Sequence, residues 1–307
     1  MLSDRAAQAT TGSPIVTRVG TGLRDAAGTI PPPGLVLLAI GSYQLGAAIA
    51  KGLFATLGPG GAVFLRVGFA AIVLLALGRP RLRGHDRPAC TAAILFGLAL
   101  AGMNFAFFAA LDRIPLGTAV TLEFVGPLGV AVVGSRRRLD VLWVVLAAAG
   151  LTALAPWGGS GLDPVGVALA LFAGCFWAGY ILLGVRVGRV FERGTGLALA
   201  MGVAAIVLTP VGIISGGMNI LHPKLLVAGL GVALLSSVVP YSLELEALRR
   251  MPASVFAILL SSDPAIAALV GFLALGETLG LRALGAIAFV TAAAVGSARY
   301  GARFPGG

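Results

Sequence analysis

The chain has 307 residues, of which 58% are hydrophobic and only 11% are charged, and its mean hydropathy is +0.99. A soluble domain carries roughly 25% charged residues, because its surface must face water. The composition therefore excludes an ordinary soluble domain and predicts an integral membrane protein. The net charge of +10 does not indicate a nucleic-acid partner, because the arginines lie in short clusters between apolar segments, where they determine membrane topology.

Ten segments of the chain are long and apolar enough to form transmembrane helices. A helix needs about 20 mostly apolar residues to cross ~30 Å of hydrocarbon. The polar residues 1–33 precede the first segment and are predicted to be a disordered tail. The predicted spans are residues 34–56, 60–78, 89–111, 115–134, 139–156, 164–185, 195–215, 225–248, 252–274 and 280–298.

The distribution of cationic residues predicts the orientation in the membrane. With the N-terminus in the cytoplasm, the arginine clusters at 136–138 and 249–250 and those of every other inner loop face the cytoplasm, as the positive-inside rule requires. Among the loop residues, only Arg113, Lys224 and Arg282 then lie on the outer side. We therefore predict a multi-pass protein of the cell's inner (plasma) membrane, with both termini in the cytoplasm.

A sequence repeat divides the chain into two halves. Residues 110–115 (ALDRIP) align with residues 247–252 (ALRRMP), and Pro127 aligns with Pro264 in the same register. The offset is 137 residues, or about five predicted spans. Because five is odd, the second copy must be inverted in the membrane relative to the first. Inverted repeats with interrupted helices near the midplane are typical of secondary transporters, in which they provide two similar gates.

The predicted fold class is accordingly an all-α membrane protein with ten transmembrane helices in two inverted five-helix repeats. The first repeat spans residues 34–156 and the second spans residues 164–298, and a periplasmic linker at 157–163 joins them. Residues 1–33 and 299–307 form the two cytoplasmic tails of this prediction.

Three ionisable residues lie inside the first four spans. Each costs roughly 2.5–3.5 kcal/mol on insertion scales and needs a structural or functional reason. Lys51, Arg66 and Glu123 are predicted at one depth, some 9–13 Å below the outer surface at ~1.5 Å per residue. They form either a substrate site or a buried ion-pair network, and both cations have the alternative of reaching the outer interface. Gln44 shares a helical face with Lys51, and Asn104 either binds substrate or ties two helices together.

The acidic residues of the second half are predicted to have different roles. Asp263 is the deepest acid, in the middle of span 9 immediately before Pro264. A carboxylate at that depth favours a proton-coupling function, because it can exchange a proton in an apolar environment. Glu246 precedes Arg250 by four residues, in the favoured orientation of a helical ion pair, and is interpreted as structural.

Span 8 carries a polar face. Ser237, Tyr241 and Glu244 follow one another at steps of four and three residues and so share one side of a helix. Pro240 lies among them and is predicted to open the backbone locally. Glu244 is interpreted as either a cavity residue or an interfacial one, because it lies near the predicted cytoplasmic end.

The sequence contains no motif of an enzyme. It has no metalloprotease helix motif, no phosphate-binding glycine loop and no nucleophile elbow. Its only histidines, His85 and His222, lie in loops predicted on opposite sides of the membrane, and Cys90 and Cys175 have no metal-like spacing. We therefore predict a protein that is not an enzyme and that has no cofactor and no metal.

Several short strings are shared with a known transporter group. In the first half they are Ser42-x-Gln44, Ala50-Lys51, Leu53-Phe54, Leu65-Arg66, Gly102-Met103-Asn104, Pro115-Leu116-Gly117, Leu122-Glu123-Phe124, Gly126-Pro127-Leu128, Ser135-Arg136-Arg137 and Trp143-Val144-Val145-Leu146. In the second half they are Pro240-Tyr241-Ser242-Leu243-Glu244 and Leu275-Gly276-Glu277-Thr278-Leu279. With these strings the chain resembles the threonine/homoserine exporters, in the EamA-type branch of the drug/metabolite transporter superfamily, from about residue 34 to 298.

The resemblance implies a central cavity and the export of small neutral amino acids, driven by proton exchange with alternating access. Asp263 departs from the glutamate that similar proteins have before this proline, so the acid is kept but shortened. We hypothesise that Lys51, aided by Arg66, binds the substrate carboxylate and that Glu123 binds the ammonium group. The complete set is Gln44, Lys51, Arg66, Asn104, Glu123 and Tyr241 for substrate binding, with Asp263 and Glu244 for proton coupling.

Two alternatives stay open at this point. One is an EamA-type exporter of another metabolite or drug, although Lys51 argues against a cationic cargo. The other is a scaffold or receptor without transport, in which the buried charges only hold the bundle together, although two inverted gates would be of no use to it. The expected partners are an amino-acid substrate, protons and the lipid bilayer, without nucleic acid, and a homo-oligomer is left open.

Overall fold

The part of the chain that the structure describes consists almost entirely of α-helices. The computed structural model describes residues 29–78, 86–111, 113–114, 119, 122–135, 137–154, 163–191, 194–263, 265–266 and 281–300. In these ranges the helices are α1 (32–57), α2 (59–78), α3 (Arg87–Leu111), α4 (Val125–Gly134), α5 (Arg138–Leu154), α6 (Pro164–Val190), α7 (Thr195–Gly216), α8 (Pro223–Arg250), α9 (Ala253–Leu260) and α10 (Leu281–Tyr300).

Helices α1 and α2 form one helical run, Pro32–Gly78, that is interrupted at Gly58. Gly58 has φ +65° and ψ 170°, a conformation that residues with a Cβ rarely adopt. The chain reverses direction at Gly58. The reversal is seen in the packing, since α1 and α2 both contact α8 at neighbouring levels. Gly46 of α1 approaches Ser236, and Leu65 of α2 lies against Gly229.

The helices have the length and hydropathy of membrane spans. Five of them qualify on both criteria within the described residues, namely α2, α3, α6, α7 and α8, and α4 and α10 contain shorter apolar stretches. The prediction of an all-α membrane protein is confirmed. The predicted spans agree with the described helices to within about five residues, except for spans 4 and 9. In these two spans the regular helix begins only at Val125 and ends at Leu260, and most of the remaining residues lie outside the described ranges.

The two halves of the bundle run in opposite directions. α1 begins near the end of α8, where Arg250 donates a hydrogen bond to the carbonyl of Ile30 at 3.4 Å. α6, the first helix of the second half, begins at the opposite end of the bundle, where Asp163 pairs with Arg113 at 3.0 Å. We call these two ends the Arg250 side and the Gly58 side.

The pattern of contacts between helices stays the same when each helix of α1–α5 is replaced by its counterpart in α6–α10 and the reverse. α3 packs on α6 as α8 packs on α1, and α4 packs on α6 as α9 packs on α1. α2 packs on α7, α4 on α9 and α5 on α10, and each of these pairs maps onto itself. A two-fold axis between the repeats produces this pattern, so the ten helices form two inverted five-helix repeats around a common centre.

Candidate functional site

Helix α1 comes close to α8 where α8 widens into the π-helical turn Leu234–Val238. A Cβ at Gly46 would lie 2.7 Å from the Cβ of Ser236, so only glycine permits this approach. Ser42 Oγ donates a hydrogen bond of 2.6 Å to the carbonyl of Leu235. π-helical turns disturb the regular hydrogen bonding of a helix and are frequent at functional sites. The contact fixes α1 next to the irregular part of α8.

Gln44 links α1 to the end of α9. Its Nε2 donates a hydrogen bond of 2.7 Å to Oδ1 of Asp263. α9 ends at Leu260 and a turn follows, so Asp263 lies where the regular helix is interrupted. The neighbouring hydroxyl of Ser262 is buried and has no partner among the described residues. Buried polar groups of a native protein are nearly all paired, so this hydroxyl is available to a water molecule or a ligand.

Arg66 of α2 is buried, with 8% of its surface exposed. Its Nη2 donates a hydrogen bond to Oδ1 of Asn104 in α3, and the hydroxyl of Tyr43 in α1 interacts with the same guanidinium. Asn104 in turn donates a hydrogen bond of 2.7 Å to the carbonyl of Leu100. The alternative in which Arg66 extends to the membrane surface is therefore wrong. Arg66 joins three helices at their centre instead.

Glu123 reaches the same region from the start of α4. It is 8% exposed and interacts electrostatically with Arg66 and Asp263. A close crossing of α4 and α6 holds its backbone in place. A Cβ at Gly126 would lie 1.9 Å from the carbonyl oxygen of Gly174, and a Cβ at Gly174 would lie 2.6 Å from that of Glu123. We call the four residues of this region the Arg66 cluster: Tyr43, Arg66, Asn104 and Glu123.

A second polar group lies toward the Arg250 side. Tyr180 of α6 donates a hydrogen bond of 2.7 Å to Oε2 of Glu244 in α8, and we call these two residues the Glu244 pair. The ring of Tyr180 is fully buried and stacks on Phe96 at a centroid distance of 5.1 Å. Tyr241 lies between the two groups, because its ring is 5.7 Å from that of Tyr180 and its hydroxyl interacts with Asn104.

The polar groups surround the axis between the repeats. Asn104 and Tyr241 are separated by the repeat offset of 137 residues, so they occupy equivalent positions, and their side chains interact. A residue can contact its own equivalent only beside the axis that relates the two repeats. Tyr43 and Tyr180 are separated by the same offset. Substrate sites of inverted-repeat transporters lie at such a centre, where either gate can reach them.

The structure brings most of the predicted site residues together. Glu244 joins the others through Tyr180 and Tyr241, and it interacts electrostatically with Asp263. Lys51 lies on α1, but its side chain is outside the described residues, and its role stays a prediction. Hydrogen bonds or electrostatic interactions link the following residues of the predicted site: Gln44, Arg66, Asn104, Glu123, Tyr241 and Asp263.

Two members of the network are absent from the predicted site. Tyr43 and Tyr180 each interact with an ionisable residue of another helix. The sequence contains only four tyrosines, of which three are in the network, and two of these three are one repeat offset apart. That combination was the signal that could have identified them.

Two structural interpretations of α8 are confirmed. Glu246 forms ion pairs with Arg250 and, at 3.4 Å, with Arg249 on the Arg250 side. The helix widens into its π-helical turn directly before Pro240. A proline has no N–H to donate to the preceding turn, which is the reason for local opening.

The network contains the groups that a zwitterion needs. In the described residues it combines one guanidinium with three carboxyl groups, which belong to Glu123, Asp263 and Glu244. A zwitterionic ligand can place its anion on the guanidinium and its cation on a carboxylate, and a further carboxyl group remains to exchange a proton. No group of three or more His, Cys, Asp or Glu residues within the described ranges is arranged to hold a metal ion.

Known proteins are similar to this chain over most of its length. A sequence profile of the EamA-like transporter family matches residues 164–299. The threonine/homoserine exporter RhtA of Salmonella typhimurium is 42% identical over 266 residues, which cover 86% of this chain and 90% of that protein. RhtA of Escherichia coli K12 is 41% identical over 268 residues, with 87% and 90% covered. The uncharacterized transporter YwfM of Bacillus subtilis is 30% identical over 228 residues, with 71% and 76% covered.

The fold is also found in a solved structure. A crystal structure of a protein that is 19% identical superimposes with a TM-score of 0.69 and covers 88% of this chain and 96% of that one. At this identity the likeness concerns the fold alone. The sequence matches to the exporters, by contrast, cover both repeats at an identity that shows common descent. The chain belongs to the EamA-like transporter family.

Proposed function

We propose that this protein exports small neutral amino acids, such as threonine and homoserine, from the cytoplasm across the inner membrane. The names of its relatives support the class of cargo. The observation that carries the proposal is the buried proximity of Arg66 and Glu123, which interact electrostatically at the centre of the bundle. An amino-acid zwitterion complements such a pair, whereas a purely cationic cargo would offer nothing to Arg66 and an apolar cargo would offer nothing to either charge.

The residues of the network divide into two binding functions. Arg66 binds the substrate carboxylate together with Lys51, because both carry a positive charge in the first repeat. Glu123 binds the substrate ammonium group from the opposite side. The amide of Gln44 and the hydroxyl of Tyr241 supply the remaining polar contacts, since they lie at the same centre, and Asn104 holds the guanidinium of Arg66.

We infer that export is coupled to protons through Asp263. This acid interacts with Glu123 and with Glu244, so it connects the proposed ammonium site to the Arg250 side of the bundle. Protonation of Asp263 would remove one negative charge next to the bound ammonium group and so favour release of the substrate. Glu244 serves as the second proton site in this scheme. The two inverted repeats supply the two gates of alternating access.

Counterflow in proteoliposomes tests the cargo. Vesicles that contain the purified protein are loaded with unlabelled threonine, and the uptake of labelled threonine is followed. We expect uptake that depends on internal threonine or homoserine and is lost in Lys51→Ala and Arg66→Met. If correctly folded protein shows no counterflow with any neutral amino acid, the proposed cargo is wrong, and a wider panel of metabolites and drugs becomes the next test.

A comparison of two variants tests the coupling. Counterflow needs no proton gradient, whereas net efflux against a gradient does. We therefore expect Asp263→Asn to keep counterflow and to lose roughly nine-tenths of its gradient-driven efflux, a tenfold effect. Asp163→Asn makes the same chemical change at an acid outside the network and should preserve both activities. Normal gradient-driven efflux in Asp263→Asn would contradict the assignment of the proton to Asp263.

A further inference from the structure

Along one edge of the Arg66 guanidinium, only one of the two N–H donors has an acceptor among the described residues. In arginine, the Nε–H and one N–H of Nη2 point in the same direction and match the two oxygens of a carboxylate. In Arg66, Nη2 donates to Oδ1 of Asn104, whereas Nε has no acceptor among the described residues. Because Arg66 is 8% exposed, this donor is buried. An unpaired donor on a buried cation is rare in native proteins, and this one is available to an acceptor group of a ligand.

Asn104 can satisfy only one of the two donors. An amide presents a single acceptor oxygen, and its other end is an NH2 group that cannot accept from Nε–H. In Asn104 that NH2 group already donates a hydrogen bond of 2.7 Å to the carbonyl of Leu100. A carboxylate has two acceptor oxygens at the spacing of the arginine edge and would satisfy Nε and Nη2 together.

Asn104 has an alternative hydrogen-bond partner when its contact with Arg66 breaks. The NH2 group of Asn104 already interacts with the oxygen of Tyr241, and the O–H of Tyr241 can in turn donate to the amide oxygen once that oxygen leaves Arg66. Asn104 also lines a cavity of about 200 Å³ between α2, α3 and α7, together with Gly60, Val63 and Ser215 among others. Tyr241 is therefore available as a second partner, so the contact between Asn104 and Arg66 can open without leaving the amide oxygen unpaired.

We propose that the α-carboxylate of the amino-acid substrate displaces the oxygen of Asn104 from Arg66 and binds side-on to Nε and Nη2. This inference rests on the proposed function and specifies how its cargo is recognised. Asn104 takes the place of the substrate carboxylate in the empty protein and transfers to Tyr241 when the substrate binds. Glu123 remains available for the ammonium group. The site therefore selects a free α-carboxylate over the corresponding amide.

Two substitutions of Asn104 separate this role from direct substrate binding. Asn104→Asp supplies a carboxylate from the protein itself, which occupies both donors of Arg66, so threonine binding should weaken about 100-fold or more. Asn104→Leu has nearly the same shape but no oxygen, so Arg66 stays accessible and binding should stay within a few-fold of the wild type or become tighter. Titration of purified protein in detergent measures both. Loss of binding in Asn104→Leu, or unchanged binding in Asn104→Asp, would overturn the proposal.

Arg66→Lys provides a second test that does not depend on Asn104. Lysine keeps the positive charge but lacks the planar edge with two donors. The wild type should bind threonine about 100-fold more tightly than threoninamide, and Arg66→Lys should reduce that preference to about tenfold or less. A preference that survives unchanged in Arg66→Lys would show that the edge of Arg66 does not recognise the carboxylate. Asp163→Asn, which leaves the network intact, serves as the control for both variants.

A simpler probe distinguishes failure of this inference from failure of the proposed function. Propionate and propionamide, at equal millimolar concentration, are compared as thermal stabilisers of the wild type and of Asn104→Asp. If threonine shows no counterflow but propionate alone stabilises the wild type and not the variant, the carboxylate site stands and the cargo is a different acid. If threonine counterflow is normal in Asn104→Asp and Arg66→Lys, the proposed function stands and this inference fails. If the wild type responds to neither threonine nor propionate, both fail.

Discussion

The Arg66 cluster and the Glu244 pair have related positions in the two repeats but different charges. Tyr43 and Tyr180 are one repeat offset apart, and each interacts with an ionisable side chain of another helix. The partner of Tyr43 is the guanidinium of Arg66, whereas the partner of Tyr180 is the carboxyl group of Glu244. The fold is therefore symmetric where the chemistry is not.

The fold is symmetric and the charges are not, because helix packing and charge have different requirements. The crossings between helices need small residues, and both repeats supply them, as at Gly46 on α1 and Gly184 on α6. A charged side chain needs to be present only once, because the axis lies within reach of both repeats. We infer that symmetry in the backbone provides the two gates, whereas the asymmetric charges separate substrate binding from proton exchange.

Removal of the charge at each group is the strongest test of this separation. Arg66→Met should weaken threonine binding about 100-fold or more, because Glu123 and the substrate carboxylate then lose their shared cation. Glu244→Gln should keep binding within about threefold while it slows gradient-driven efflux. Binding is measured by titration and efflux in proteoliposomes. Equal losses of binding in the two variants would show that the two groups form a single site.

The helix crossing that positions Glu123 provides the next largest effect. Gly174→Ala would place a Cβ 2.6 Å from the carbonyl oxygen of Glu123, and such overpacking costs roughly 1–3 kcal/mol. Gly179→Ala on the same helix meets only Ala99 at 3.9 Å and should be neutral or slightly stabilising, by up to ~1 kcal/mol. Thermal unfolding in detergent measures stability, and titration measures binding. If Gly174→Ala is as stable and as active as Gly179→Ala, this crossing does not position Glu123.

The two equivalent tyrosines should respond differently to loss of the hydroxyl group. Tyr43→Phe removes a partner of Arg66 and should weaken threonine binding by about tenfold, which corresponds to a hydrogen bond to a charged group. Tyr180→Phe removes the hydrogen bond to Glu244 and should leave binding within about twofold while it reduces gradient-driven efflux. Titration and efflux are compared for both variants. A larger loss of binding in Tyr180→Phe would reverse the assignment of the two groups.

The smallest effect is expected outside the network, at the surface pair of Asp163 and Arg113. The hydrogen bond from Arg113 and the backbone N–H of Val165 hold the pKa of the Asp163 carboxyl below its usual range. Because the pKa is lower in the folded state, this stabilisation is present above the ordinary carboxyl pKa of about 4 and is lost as the pH falls further. Asp163→Asn should lower the melting temperature slightly at neutral pH, with no difference in strong acid and no change in threonine binding. A difference that grows in acid would contradict this sign.

The helices, the repeat and the inventory of buried polar residues follow from local sequence patterns and could be predicted without the structure. Hydropathy and length are local properties, so α3, α6, α7 and α8 could be predicted to within a few residues. The interrupted helix at Asp263 has an equally local cause. Pro264 has no N–H to donate to the carbonyl of Leu260, the residue at which α9 ends.

Which of these residues meet depends on how the helices pack in three dimensions. Gln44 and Asp263 are 219 residues apart, and Tyr180 and Glu244 are 64 residues apart. No sequence pattern relates such positions, because their distance depends on how closely the helices between them pack. The glycines at the crossings of α1 with α8 and of α4 with α6 set that packing. A long cation such as Arg66 could also have reached the membrane surface, and its contact with Asn104 exists because the crossings bring three helices together around it.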